Sequence, residues 1–298
     1  MSAQRNFQEA PIKTRLNAPI AALALSILAG ACGPARAGVL LSTDKDVYLA
    51  YEPIYLEIPP DERGFAAKGN PLETGALALQ IFPPDGPPYL FKSPITVCLT
   101  ANAVAERDKG YVQTLILSGS RIITARPGPY GLRMLDAQGD QMGPGIQVQV
   151  QAPETPDDIA AMALIAAHPS SYGAFLYLEG GDHLTAGLSV FTRLAEGKSA
   201  YAPMARGILA INYSQSFALS AGGRPRGREY ARMEGYFLGA FDEVNDVLRA
   251  KMVERSMREF GAKGQSPQVL TRVNNFRKWL AGNPELLRNQ SFRAASED

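Results

Sequence analysis

His168 and His183 are the chain's two histidines, with Glu179 and Asp182 close by. Imidazole and carboxylate together can hold zinc, so these four are the candidate metal ligands. Their spacing contains no H-E-x-x-H pair, and His168 directly precedes Pro169, where a helix should end. The competing reading is two helix-terminal histidines acting as caps or surface groups. The expected cofactor is none.

A second group is basic. The stretch "SAGGRPRGREYAR" carries Arg224, Arg226, Arg228 and Arg232 among glycine and proline. Guanidinium groups suit phosphate or carboxylate, which makes an acidic partner or anionic lipid a possible target. A solvated linker at 219–228 is the alternative. A third group is aromatic: Tyr172, Phe175, Tyr177 and Tyr201 either line a groove for a partner polypeptide or fill the core.

Catalytic patterns are missing from the sequence. It holds no G-x-S-x-G elbow, no phosphate-binding P-loop and no G-x-G-x-x-G after a strand. The Asp242–Glu243 pair sits on what reads as a solvated helix face. A carboxylate enzyme stays open, because such pairs form only in a fold.

The 298 residues are 46% hydrophobic and 20% charged, a globular composition. The formal net charge is +1, so no global basic field draws nucleic acid, and nucleic acid is excluded as an expected partner. The two cysteines, Cys32 and Cys98, cannot form a disulfide framework. The run "ITVCLTA" puts Cys98 in an apolar strand as a small buried hydrophobe.

The elements that must position these residues fall into two blocks. Between 38 and 152, apolar residues alternate: Val47 and Leu49, then Ile54, Leu56 and Ile58 around a break at Pro53. Further short strands are separated by "PPDGPP", "RPGPYG" and "DAQGDQMGPG". That pattern predicts an antiparallel β-sandwich. The opening "TDKDVYLAYEPIYLEI" and the later "GPYGLRMLDAQGD" resemble bacterial immunoglobulin-like and macroglobulin-like domains. The resemblance implies a structural module, with Tyr130 as a corner tyrosine whose ring is buried and whose hydroxyl bonds nearby backbone. It supplies no catalytic residue.

From 155 to 298 the period becomes helical. Thr155 suits an N-cap, Pro156 the first turn, and Asp157 and Asp158 the positive end of the helix dipole. Ile159, Met162, Ala163 and Ala166 follow at helical spacing, and Pro169 ends the run. Three more short helices, a long helix over 229–260 and a last helix after Ser266-Pro267 are expected. The short helices make two hairpins with small residues at their crossings. They loosely resemble tetratricopeptide-like repeats, without the full repeat signature. The fold class is therefore α+β multidomain, with a C-terminal all-α helical-hairpin domain.

Residues 1–37 read as a secretory signal peptide. Arg5, Lys13 and Arg15 precede an apolar run from Ala18 to Ala31, too short to span a bilayer, which needs about 20 residues. Ala35-Arg36-Ala37 offers a cleavage site before Gly38. The competing end is Ala29-Gly30-Ala31-Cys32, which resembles a lipoprotein signal with Leu28 one place too far from the cysteine. Membrane attachment is expected only if Cys32 is acylated.

These readings add up to an exported, non-enzymatic protein-binding or scaffold protein of the bacterial cell envelope, periplasmic or extracellular. Two alternatives remain open at this point. One is a proteinase-inhibitor or protease-interaction module, implied by the macroglobulin-like opening. The other is a cryptic metal- or carboxylate-dependent hydrolase.

Overall fold

The computed structural model describes residues 41–58, 72, 75, 77–92, 111–178, 180, 185–217 and 225–283. All of them belong to one compact unit, Arg36–Asp298. The chain is α+β. Among the described residues the strands are β1 (Ser42–Thr43), β2 (Val47–Leu49), β3 (Ile54–Ile58), β4 (Leu77–Phe82), β5 (Tyr89–Leu90), β6 (Tyr111–Leu115), β7 (Leu117–Ser118), β8 (Arg121–Ile122), β9 (Gly128–Asp136) and β10 (Ile146–Gln151). The helices are α1 (Pro156–Ala167), α2 (Pro169–Tyr177), α3 (Thr185–Glu196), α4 (Ala202–Ser214), α5 (Tyr230–Ala240), α6 (Asp246–Phe260) and α7 (Pro267–Ala281). The candidate strand around Cys98 lies outside the described residues.

One sheet has the order β2-β10-β9-β4-β5, a second β1-β3-β6, and β7-β8 form a hairpin. The expected all-antiparallel arrangement needs a correction. β2 runs parallel to β10, with Val47 opposite Gln149, so the larger sheet is mixed. The cause lies at the break before Pro53. The chain leaves the larger sheet after Leu49, turns, and re-enters the smaller sheet at Ile54. The face of β2 is also shifted by one residue: Tyr48 is buried and Val47 exposed. The Tyr48 hydroxyl reaches inward to Asp44 at 2.6 Å, which fixes that phase.

β3 is covered on both faces. Ile54, Leu56 and Ile58 share a core with Leu79, Ile81, Leu132 and Val148 of the larger sheet. Tyr55, between them, joins the core formed by the helices, together with Ile116, Leu117 and Ile122. Alternating residues of a strand point to opposite faces, so this one strand contributes to two cores. Tyr130 is buried and donates its hydroxyl to Arg126 O at 3.0 Å, the geometry anticipated for it.

The start of α1 follows the sequence signals. Thr155 caps it by accepting the Asp158 N–H at 3.1 Å, and Pro156 occupies the first turn. Its inward face does not follow them: Asp158, Ala161 and Ile165 are buried, while Ile159 is exposed. Asp158 turns inward because its Oδ1 accepts the Ala200 N–H at 2.6 Å, tying α1 to the start of α4. Pro169 opens α2 as well as closing α1.

Small residues do lie at crossings. A Cβ on Gly173 would meet Leu117 of β7 at 2.5 Å, and one on Gly187 of α3 would meet Phe175 Cβ at 2.5 Å and Ser171 O at 2.7 Å. The long helix expected over 229–260 is two helices. Asn245 leaves helical geometry and caps α6, its Oδ1 accepting the Leu248 N–H at 2.8 Å. Arg249 satisfies the carbonyls freed at the break, Phe241 O and Val244 O, each at 2.9 Å. No single described helix is long and apolar enough to cross a membrane.

Candidate binding cleft at the sheet–helix seam

The turn from Leu49 to Glu52 organises the seam. Tyr51 holds a left-handed φ of 67°, uncommon outside glycine. Such a residue persists when its surroundings over-determine it, at a cost of about 1–3 kcal/mol. Here they do. Tyr51 N–H donates to Thr124 O at 2.9 Å, and Glu52 N–H to Leu49 O at 3.0 Å. Three side chains donate to successive carbonyls: Tyr201 to Ala50 O at 2.7 Å, Tyr172 to Tyr51 O at 2.9 Å, and Thr124 to Glu52 O at 2.8 Å. Tyr172 is itself stacked on Phe191, with centroids 5.2 Å apart. Burial holds both tyrosine hydroxyls above the usual phenol range, so they remain donors.

Asp44 is the second organiser. Its Oδ1 accepts the Tyr48 hydroxyl at 2.6 Å and the Tyr55 N–H at 3.1 Å. Its Oδ2 accepts the Asn245 amide at 2.7 Å. Burial raises its pKa above the ordinary carboxylate value, and the Tyr48 and Tyr55 donors and the Lys45 charge offset only part of that rise.

Between the turn and the helices lies a cleft of about 310 Å³. Tyr55, Met204, Val244 and Leu248 supply apolar lining; Lys45, Glu52, Glu243 and Asn245 supply polar groups. Glu52 is fully committed. Its Oε1 pairs with Lys45 Nζ at 2.5 Å and its Oε2 accepts the Leu49 N–H at 2.9 Å. The cleft can grip an apolar body and match a charged group at its edge. Glu52 is spent on holding the turn, which leaves Glu243 as the lining carboxylate without an ion-pair partner among the described residues.

The candidate residues read from sequence land elsewhere. Tyr172, Phe175 and Tyr201 are buried and Tyr177 is half-buried. The first three are therefore core residues, and two of them act by clamping the turn beside the cleft. Arg226 and Arg228 are not a free basic patch. The Arg226 guanidinium lies 4.9 Å from the Tyr213 ring centroid and 5.1 Å from that of Phe217, and also bonds Asn212 O and Glu229. Arg228 pairs with Glu259 at 2.9 Å. Arg226 is thus held partly buried by internal partners, whereas Arg228 stays exposed in a surface ion pair; residues 219–224 of the expected linker lie outside the described residues.

His168 is exposed at the junction of α1 and α2. His183, Asp182, Glu179, Arg224 and Cys32 lie outside the described residues. Among the described residues, no group of three or more His, Cys, Asp or Glu is placed to hold a metal ion.

Sequence reasoning passed over Asp44, Lys45, Glu52 and Asn245, and took Glu243 for part of a solvated helix face. The first three stand inside the quoted opening motif, where they read as purely structural. Asn245 carried a usable signal: it is an N-cap residue type inside a supposed helix.

Comparison with protein-family models, curated proteins and solved structures finds no match for this chain. The site therefore rests on its own geometry.

Proposed function

We propose that this is an exported, non-enzymatic protein-binding or scaffold protein of the bacterial cell envelope, and that the seam cleft receives the partner polypeptide. In this reading the signal is removed after Ala37. Residues 38–152 then form an immunoglobulin-like sandwich, and the helical region from 155 onward is mounted on it. The observation that carries the proposal is the cleft itself: an apolar floor with a charged edge, beside a strained turn clamped by two buried tyrosine hydroxyls. Strain of this kind concentrates at ligand clamps, and clefts with apolar lining and a few fixed polar groups favour binding.

The test is photo-crosslinking in the envelope of a bacterial host that makes the full chain. A benzophenone side chain at Glu243, beside the cleft, should yield a discrete protein adduct. The same group at exposed Lys263, outside the cleft lining, should not. Equal labelling from both positions, or none from Glu243, would overturn the proposal. Sequencing the exported N-terminus checks the cleavage: Gly38 as first residue agrees, and an acylated Cys32 refutes it.

A further inference from the structure

Resting on the reading that the cleft binds polypeptide, we infer that its occupant presents a lysine or arginine side chain next to an apolar residue. The argument is charge complementarity. The turn between α5 and α6 carries Asp242 and Glu243, and α6 opens on Asp246. Asp242 pairs with Arg272 at 3.1 Å, and Asp246 pairs with Arg249. Across the cleft Glu52 pairs with Lys45. Glu243 lines the cleft, is exposed, and has no ion-pair partner among the described residues.

The cleft lining therefore carries one positive and two negative charges, with one carboxylate left uncompensated. Lys251 reaches the Tyr55 ring, at 5.8 Å, without entering the lining. Lysine and arginine lay an aliphatic stem on apolar surface and carry their charge to its edge. Ala200, Pro203 and Met204, the lining's accessible apolar residues, offer that surface, and Glu243 stands where the charge would arrive. An apolar neighbour on the same peptide fills what the stem leaves. An anionic occupant would face the unpaired Glu243 carboxylate with a like charge.

The test uses the full chain labelled with ¹³C at its methionine methyl groups, with Met204 assigned through Met204→Leu. Three capped hexapeptides serve as probes: acetyl-Gly-Phe-Lys-Leu-Gly-Gly-amide, the same peptide with norleucine for lysine, and the same with glutamate. The lysine peptide should shift the Met204 methyl signal and bind about three- to fivefold more tightly than the norleucine peptide, the scale of one partly exposed ion pair. The glutamate peptide should bind more weakly still. Glu243→Gln should erase the preference for lysine while leaving the other methionine signals in place. If lysine and norleucine peptides bind equally and both shift Met204, the cleft reading stands and the cation inference falls. A lysine preference that survives Glu243→Gln also overturns the inference. If no peptide shifts Met204, both fall.

Discussion

Asn245 donates its side-chain amide to Asp44 Oδ2 at 2.7 Å while its own Oδ1 caps α6 through the Leu248 N–H. One side chain thus ends the break between two helices and ties the second to the sheets. Asn245→Asp keeps the cap but turns a donor into a second carboxylate against Asp44. We expect it to cost about 2–3 kcal/mol near pH 7.5, measured by urea unfolding. Part of the loss should return on acidification, as a protonated carboxyl regains a donor. A loss identical at pH 7.5 and pH 5 would sink this account.

The Asp44 carboxyl also sets a pH dependence. Its pKa is raised by burial in the folded state, so the folded chain binds that proton more tightly than the unfolded chain does. Its contribution to stability is fully present below the ordinary value and is lost as pH rises through the raised one. Asp246, raised by the same cause, contributes with the same sign. Asp44→Asn should therefore flatten the stability profile above pH 3.8 without removing all of its slope. The comparison is urea midpoints of both proteins from pH 3.5 to pH 7, and superimposable slopes would refute the role.

Tyr172→Phe and Tyr201→Phe each leave a turn carbonyl without its donor, the half-buried one of Tyr51 and the buried one of Ala50 respectively. Each should lose about 1–3 kcal/mol. Because both donors hold the same strained turn, the double variant should depart from additivity by about 0.5 kcal/mol or more. Strict additivity in a denaturation cycle would mean the turn is not their shared target.

Gly187→Ala tests the α2–α3 crossing. The added methyl would lie 2.7 Å from Ser171 O, a backbone atom, and 2.5 Å from Phe175 Cβ. Overpacking of this kind typically costs about 1–3 kcal/mol, even though alanine favours helix more than glycine does. A rise in thermal midpoint would show that the two helices can separate cheaply.

Arg226→Lys probes the former basic-patch candidate as a pin. Lysine keeps the charge but loses the planar stack between Tyr213 and Phe217 and the forked bonds to Asn212. A loss of about 1–2 kcal/mol is expected. An unchanged unfolding midpoint would return Arg226 to the surface.

Local signals in the chain were legible where the cause is local. Thr155-Pro156 and Ser266-Pro267 start helices because a hydroxyl cap and a preset proline φ act within one turn. The strand alternation in Ile54–Ile58 is visible for the same reason, and Tyr130 lies as the motif around it implied. Phase errors arose where a polar partner, near or distant along the chain, decides. Asp158 faces inward for Ala200, and Tyr48 faces inward for Asp44, against the hydrophobic pattern of their neighbours.

By itself, then, the sequence determined the α+β class, most helix starts and the run of strands, since these follow from near-neighbour periodicity and capping. The tertiary structure decided that the break before Pro53 carries the chain from one sheet to the other, that Tyr172 and Tyr201 are internal donors, and that a cleft opens beside them. The physical reason is separation along the chain. Hydrogen bonds such as Tyr201 to Ala50, or Asn245 to Asp44, join residues with no local relation, and only the folded chain brings their donors and acceptors together.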